Sequence, residues 1–252
     1  MIDRDIQTAM RKSSSLVAAP QQSSLSDRVA RHVMDHIRTN RLSSGERLPS
    51  EVRLSAELKI SRGIVREAYR ALGSAGILEI SNGRSPRVGA LRSTALIHLL
   101  QHALATQQAS PEQALDLRSA IEIRAAELAA EKRSATDLEV LARAVRGMQR
   151  ARRDIDAFVT HDVRFHECLG AATGNPLFSL IASALSEAMA TSVRAGMESR
   201  SGQAQVLKVV ESHQDIVDAI AGSDPATAGA CMVRHFEEAR RALARGRARK
   251  AK

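Results

Sequence analysis

The stretch that decides the fold of the N-terminal third is GERLPSEVRLSAELKISRGIVREAYRALGSAGIL, residues 45–78. Turn-forming residues open it, and Ser50 then precedes a short amphipathic segment that ends near Leu58. Ser61 is placed to cap a second segment, whose apolar residues recur at helical spacing until Gly76 ends it. Two short helices separated by a turn of three or four residues predict a helix-turn-helix.

The residues on either side complete a small domain. Upstream, Val29, Val33 and Ile37 recur every four residues and predict a helix near 26–40. After Gly76 the apolar period changes to two on both sides of a Ser/Asn/Gly turn, which predicts the β wing of a winged helix. We therefore expect a flexible polar N-terminal arm at 1–24 and a winged helix-turn-helix domain at 25–92.

The remaining chain has helical periodicity interrupted only by short Gly- and Pro-containing breaks. We expect an all-α bundle of about six or seven helices at 93–245 and a basic tail at 246–252. The fold class is therefore mainly α, with a small β wing in the N-terminal domain. The predicted bundle helices lie near residues 95–107, 111–131, 135–150, 154–172, 176–197, 203–221 and 225–246.

The amino-acid composition excludes some classes of protein. Among the 252 residues, 44% are hydrophobic and only 2% aromatic, so the cores must be built from Ala, Leu, Ile and Val. Cys168 and Cys231 form no CxxC pattern, which argues against a cysteine zinc finger. No uncharged apolar run reaches the roughly 18 residues that cross a bilayer. We expect a soluble, cytoplasmic protein without a membrane partner.

The net charge of +9 is unevenly distributed. Residues 1–92 hold 16 Lys and Arg against 9 Asp and Glu, residues 93–239 hold 14 against 19, and residues 240–252 hold 7 against 0. A basic first third is typical of proteins that bind a polyanion such as nucleic acid.

The second helix of the helix-turn-helix is the predicted DNA-reading element. Its first residues enter the major groove in this motif, where arginine can pair with guanine. Arg62 and Arg66 share one face of this helix, opposite its apolar face. A solvated charged face is the alternative, but the charge distribution and the wing residues Arg84 and Arg87 favour DNA. The candidate contacts from this helix are Ser61, Arg62, Gly63 and Arg66.

These residues resemble a known family. Gly45-x-x-Leu48-Pro49-Ser50-Glu51, then Ile60-Ser61-Arg62-x-x-Val65-Arg66-Glu67-Ala68 and Gly76-Ile77-Leu78, are similar to the winged helix of GntR-type bacterial transcription regulators. The resemblance implies operator contacts from the four helix residues above and from Gly83 at the wing tip. Arg84, the next residue, is a further candidate contact because of its charge. The family often has arginine directly after its Leu-Pro-x-Glu segment. This chain has Val52 there, and Arg53, the next residue, is the candidate contact.

A second constellation lies in the acidic region. Asp162 and His166 stand four residues apart and so share one helix face, while His213 and His235 lie on two later helices that a bundle could bring inward. A carboxylate and three imidazoles suit a divalent metal, most of all zinc, with nickel, manganese or cobalt also possible ions. Separate core or surface histidines are the alternative.

The surrounding residues are similar to the FadR-type C-terminal effector domain, known as FCD. The resemblance rests on Phe158-x-x-x-Asp162-x-x-Phe165-His166, on Glu211-Ser212-His213 and on Arg234-His235. It implies a divalent metal held by Asp162, His166, His213 and His235, and a small organic acid or sugar acid that completes the coordination. Arg118 is the candidate effector-binding residue, because a guanidinium can bind a carboxylate in bidentate fashion. A solvent-facing Arg118–Glu122 ion pair is the alternative.

These residues are compatible with three functions. The favoured one is a homodimeric, effector-controlled repressor that binds operator DNA and is not an enzyme, since a two-fold protein reads two half-sites. A metal-dependent hydrolase that uses the Asp and three His residues is the alternative. A sequence-independent nucleic-acid binder that uses the tail at 240–252 is compatible with the first.

Overall fold

The computed structural model describes residues 24–81, 84–198 and 203–250, and the chain divides into two compact units between Ala90 and Leu91. Within the described ranges there are ten helices and one two-stranded sheet. The expected fold class, a small winged unit followed by a helical bundle, is confirmed. The expected N-terminal arm lies outside the described residues, apart from Ser24.

The N-terminal unit has the winged helix-turn-helix arrangement. Each of its helices is capped by a serine whose hydroxyl accepts a backbone N–H: Ser24, Ser50 and Ser61. Strands β1 and β2 pair antiparallel, with Leu78 opposite Val88. In chain order the elements are α1 (Leu25–Thr39), α2 (Glu51–Leu58), α3 (Arg62–Ser74), β1 (Leu78–Glu79) and β2 (Arg87–Val88).

Tyr69 anchors the core of this unit. It is 1% exposed among buried aliphatic residues such as Val33, Leu54 and Val65. Its hydroxyl donates to the carbonyl of Pro49 at 2.7 Å. This hydrogen bond connects α3 to the turn directly before α2. Burial, with the nearby carboxylates of Glu51 and Glu57, raises the pKa of Tyr69 to about 12, so the hydroxyl keeps its proton.

The C-terminal unit is a helical bundle whose helices begin and end within about four residues of the predicted bounds. The helix α10 is the largest departure, because it continues to Lys250 where the sequence predicted a separate tail from residue 246. Its Ala- and Arg-rich end favours helix. The helices are α4 (Thr94–Ala105), α5 (Pro111–Lys132), α6 (Ala135–Arg150), α7 (Ile155–Ala172), α8 (Pro176–Glu198), α9 (Gln203–Ala221) and α10 (Pro225–Lys250).

The core lies around α7, which packs against α5, α6 and α8. Alanines on α5, among them Ala125, Ala126 and Ala129, are fully buried and let neighbouring backbones approach closely. By length and composition alone, α8 could cross a bilayer, since the mean hydropathy of its most apolar window is 1.3. In the bundle α8 instead packs against α7, and its buried residues include Leu185 and Met189.

Gly170 lies where α7 approaches α8 closely. A Cβ at this position would stand 2.9 Å from the carbonyl oxygen of Phe178 and 2.9 Å from the Cα of Ser179. Both are backbone atoms, so the two helices would have to separate to admit a methyl group.

We therefore expect Gly170→Ala to lower the free energy of unfolding of the C-terminal unit by about 1 kcal/mol or more, because overpacking outweighs the gain in helix propensity. Urea unfolding followed by circular dichroism measures the change. Ala171→Gln, at the exposed neighbouring position, is the control and should stay within about 0.5 kcal/mol of the wild type. An unchanged midpoint for Gly170→Ala would contradict the tight approach.

Candidate functional site

Three helices of the bundle bring the four predicted metal ligands together. Asp162 and His166 come from α7, His213 from α9 and His235 from α10. All four are buried, and one ring nitrogen from each histidine lies within 4.8 Å of the others. The carboxylate of Asp162 faces this group, with Oδ1 3.3 Å from Nε2 of His213 and Oδ2 3.9 Å from Nε2 of His166.

The hydrogen bonds of the Nδ1 atoms fix how two of these imidazoles are protonated. Nδ1 of His213 lies 2.7 Å from the carbonyl oxygen of Val209, and a carbonyl can only accept. The hydroxyl of Ser212 donates its hydrogen to that same carbonyl. The Oγ atom of Ser212 can therefore only accept from Nδ1 of His235, which lies 3.2 Å away. With Nδ1 carrying the proton, Nε2 of each neutral ring has a free lone pair.

His166 also carries its proton on Nδ1, where the hydrogen-bond acceptor is a carboxylate. Its Nδ1 donates to Oε2 of Glu122, which is fully buried. Burial opposes ionisation of Glu122, but the adjacent Arg118 guanidinium and His166 bring its pKa below the ordinary value. Glu122 is therefore an anion that orients His166.

The inward-facing nitrogens fit a cation. Nε2 of His166 and Nε2 of His213 are buried and have no hydrogen-bond partner in the described part of the chain. Buried polar atoms are normally paired, and here lone pairs and a carboxylate face one another. Three imidazole nitrogens and one carboxylate oxygen are an ordinary donor set for a divalent transition metal.

Burial also favours the neutral form of two of the imidazoles, those of His166 and His235. It lowers the pKa of His166, with a further contribution from the Arg118 guanidinium. It lowers the pKa of His235 well below the ordinary value, with smaller contributions from His213 and His166. A neutral imidazole is the form that binds metal.

Arg118 lies beside this group. Its Nε donates to Oε1 of Glu122 at 2.7 Å, and its guanidinium carbon stands 5.8 Å from the ring centre of Phe236. Its Nη2 is buried without a hydrogen-bond partner among the described residues. The ion pair with Glu122 thus exists, but it faces the interior and not solvent, with side chains 3% and 0% exposed. Arg118, Asp162 and His235 all line one cavity.

The N-terminal unit presents the predicted DNA-reading residues on its surface. Ser61 caps α3 by accepting the N–H of Ile64, and Arg62 and Gly63 follow it in exposed positions. Nε of Arg66 contacts Glu51 at 3.1 Å, and Nε of Arg53 contacts Glu57 at 2.7 Å. Exposed pairs of this kind are weak, so both arginines can exchange them for phosphate or base contacts.

The wing is described in part. Arg84 is exposed, whereas Gly83 lies outside the described residues. Arg87 is half-buried, and its guanidinium donates to the carbonyl of Gly45, so it braces the base of the wing.

Sequence reasoning missed the residues that orient the histidines. Glu122 follows Arg118 by one helical turn, so the sequence shows the pair, but this spacing is the same on a buried and on a solvent-facing side of a helix. Ser212 and the carbonyl of Val209 leave no comparable signal, because their roles depend on how α9 packs against α10.

Comparison with known proteins gives the family. Residues 25–88 match the model described as bacterial regulatory proteins, gntR family, and residues 113–238 match the FCD domain. The HTH-type transcriptional regulator LutR of Bacillus subtilis is 30% identical over 205 residues, which cover 79% of this chain and 92% of LutR. The chain belongs to the GntR family of bacterial regulatory proteins.

Other relatives agree with this assignment. The HTH-type transcriptional repressor NanR of Citrobacter rodentium is 31% identical over 218 residues, which cover 84% of this chain and 82% of NanR. A solved GntR structure from Streptococcus agalactiae has the same fold, with a TM-score of 0.64, 23% identity, and coverage of 86% of this chain and 99% of that one.

The chain is therefore a DNA-binding transcription regulator of the GntR/FCD type. The resemblance stated from the sequence is confirmed, as is the prediction that the protein is not an enzyme, since the matched family and relatives are regulators. The hydrolase alternative is wrong on the same grounds.

The lowered histidine pKa values predict how stability depends on pH. Because His166 and His235 titrate below their ordinary value of 6.5 in the fold, the unfolded chain binds more protons near and below that pH. The free energy of unfolding of the C-terminal unit, measured in chelator, should therefore fall as pH drops from about 7.5 to about 5.5.

A pair of variants tests the cause of this dependence. His235→Gln should flatten the decline, whereas His98→Gln, which replaces an exposed histidine of α4, should not. Equal slopes for the two variants would contradict the assignment.

Proposed function

We propose that this regulator is a repressor whose operator affinity is controlled by a small organic acid or sugar acid, bound beside a divalent metal in the C-terminal unit. One observation carries the proposal: two buried Nε2 atoms, which have no hydrogen-bond partner among the described residues, face the carboxylate of Asp162, next to a buried guanidinium whose Nη2 also has no partner there. A metal and an acid together would satisfy all of these groups.

In this proposal Asp162, His166, His213 and His235 hold the metal. Zinc suits the set best, and nickel, manganese or cobalt could occupy it according to supply. The bound ion would offer an open coordination position to a carboxylate. Glu122, Ser212 and Val209 would keep the three rings in the tautomer that leaves Nε2 free.

Arg118 is the proposed second anchor for the acid. Its Nε is already engaged by Glu122, and the Phe236 ring limits how the guanidinium can move. Nη2 then remains available for a carboxylate oxygen. A charge-assisted hydrogen bond in this buried place would be stronger than one at the surface.

The N-terminal unit is the proposed operator reader. Arg62 and Arg66 would reach base edges in the major groove, with Ser61, Gly63 and Arg53 near the backbone and Gly83 and Arg84 at the wing tip. We propose a homodimer acting in the cytoplasm, because two half-sites supply affinity that a single winged helix lacks. The acid could change operator affinity only to the extent that it binds more tightly to one of two conformations of the regulator, one with high and one with low affinity for the operator.

The metal assignment predicts a definite stoichiometry. Protein equilibrated with zinc and then freed of excess should retain about one ion per chain. His213→Ala combined with His235→Ala should lose it, since two imidazoles cannot be replaced by the remaining ligands. Elemental analysis measures the content.

The matched control combines His98→Ala with His102→Ala, two exposed histidines of α4. This variant should keep the metal. Zinc retained by the first double variant, or absent from the wild type, would overturn the metal site.

The reading helix predicts a specific loss of affinity. With DNA selected for tight binding, Arg62→Ala should weaken operator binding by about 1–3 kcal/mol and relax the preference at one base position. Fluorescence anisotropy with the selected operator and with single-base variants measures both effects. Arg143→Ala, an exposed arginine of α6, is the control; an equal loss in both variants would contradict base reading by Arg62.

A further inference from the structure

The wall of the cavity beside the proposed metal site indicates which class of acid it takes. We infer that the effector is a monocarboxylic acid with a short apolar remainder, and not a polyhydroxylated sugar acid or a dicarboxylic acid. This inference rests on the proposed function, which leaves the choice among small acids open.

The polar groups of the cavity are few, and three of them belong to the proposed binding site. Arg118, Asp162 and His235 are at the place where the metal and the carboxylate would meet. Among the other described lining residues, Ser192 alone carries a polar side chain. The apolar remainder of the wall includes Leu115, Met189, Val193, Met197, Phe236 and Leu243.

The positive charge available in the cavity matches an acid with one carboxylate. The acid would meet two cations, the proposed metal and Arg118, which is the single cationic side chain among the described lining residues. Asp162 and Glu122 already neutralise part of this charge, and one carboxylate placed between the metal and the guanidinium would use both cations. A second carboxylate would have to lie against Leu, Met and Val side chains without a cation. Burying an unpaired charge is far more costly than burying a methyl group.

Hydroxyl groups face a similar difficulty. Each hydroxyl that leaves water for an apolar wall loses hydrogen bonds that the wall cannot replace, which costs about tenfold in affinity. Ser192 can satisfy one such group. A methylene in the same place gains about fourfold through burial.

The test compares acids of equal length. Zinc-loaded full-length protein is titrated calorimetrically with hexanoate and gluconate, which have six carbons each, and with butyrate and threonate, which have four. Adipate is the six-carbon dicarboxylic probe. Each unsubstituted monocarboxylate should bind at least about tenfold more tightly than its hydroxylated partner, and hexanoate more tightly than adipate. Gluconate or adipate binding as tightly as hexanoate would overturn the inference.

Two variants connect the preference to the cavity. Val193→Thr adds a hydroxyl to the wall with little change of shape and should reduce the ratio of hexanoate to gluconate affinity. Val233→Thr, at an exposed position of α10, is the matched control and should leave that ratio unchanged. An unchanged ratio in Val193→Thr would overturn the role of the wall.

The same titrations separate this inference from the proposed function. Arg118→Gln should weaken all the acids, because each carboxylate uses the same guanidinium. If gluconate binds best and Arg118→Gln abolishes its binding, the effector site stands and only the class of acid is wrong. If no acid binds the zinc-loaded wild type, both the effector site and its class are overturned.

Discussion

The structure of the C-terminal unit depends on one constraint: buried imidazoles whose outer nitrogens are already used as donors. The Val209 carbonyl, the Ser212 hydroxyl and the Glu122 carboxylate accept from the Nδ1 atoms of His213, His235 and His166. The inner nitrogens are then acceptors, and they face a carboxylate that is also an acceptor. Acceptors gathered in a buried place repel one another unless a cation lies between them.

Glu122 connects this group to the proposed effector site. One of its oxygens accepts from Arg118 and the other from His166, so a single buried carboxylate fixes both a guanidinium and an imidazole. A movement of the Arg118 guanidinium therefore changes the hydrogen bond between Glu122 and His166, and a movement of the His166 ring changes the one between Glu122 and Arg118. This shared partner gives a physical route by which metal and acid can influence each other's binding.

Much of this arrangement could be predicted from the sequence. Serines at helix starts and glycine or proline at breaks located the helices, and the four-residue spacing of Asp162 and His166 placed both on one face. The convergence of His213 and His235 depends on the packing of α9 on α10, and only the family resemblance indicated it beforehand. The burial of the Arg118–Glu122 pair was also undetermined, since an i, i+4 pair looks the same on a solvent face. The extension of α10 was missed because charge suggested a tail where helix propensity favoured continuation.

The measurement that tests the account most directly is the tautomeric state of the buried histidines, read by long-range proton–nitrogen NMR on protein with ¹⁵N-labelled histidine. In metal-free protein at neutral pH, the account predicts that His166, His213 and His235 carry the proton on Nδ1, and that adding zinc shifts their Nε2 resonances selectively. Assignments follow from single histidine substitutions. Protonation on Nε2 in these rings, or Nε2 resonances unmoved by zinc, would contradict it.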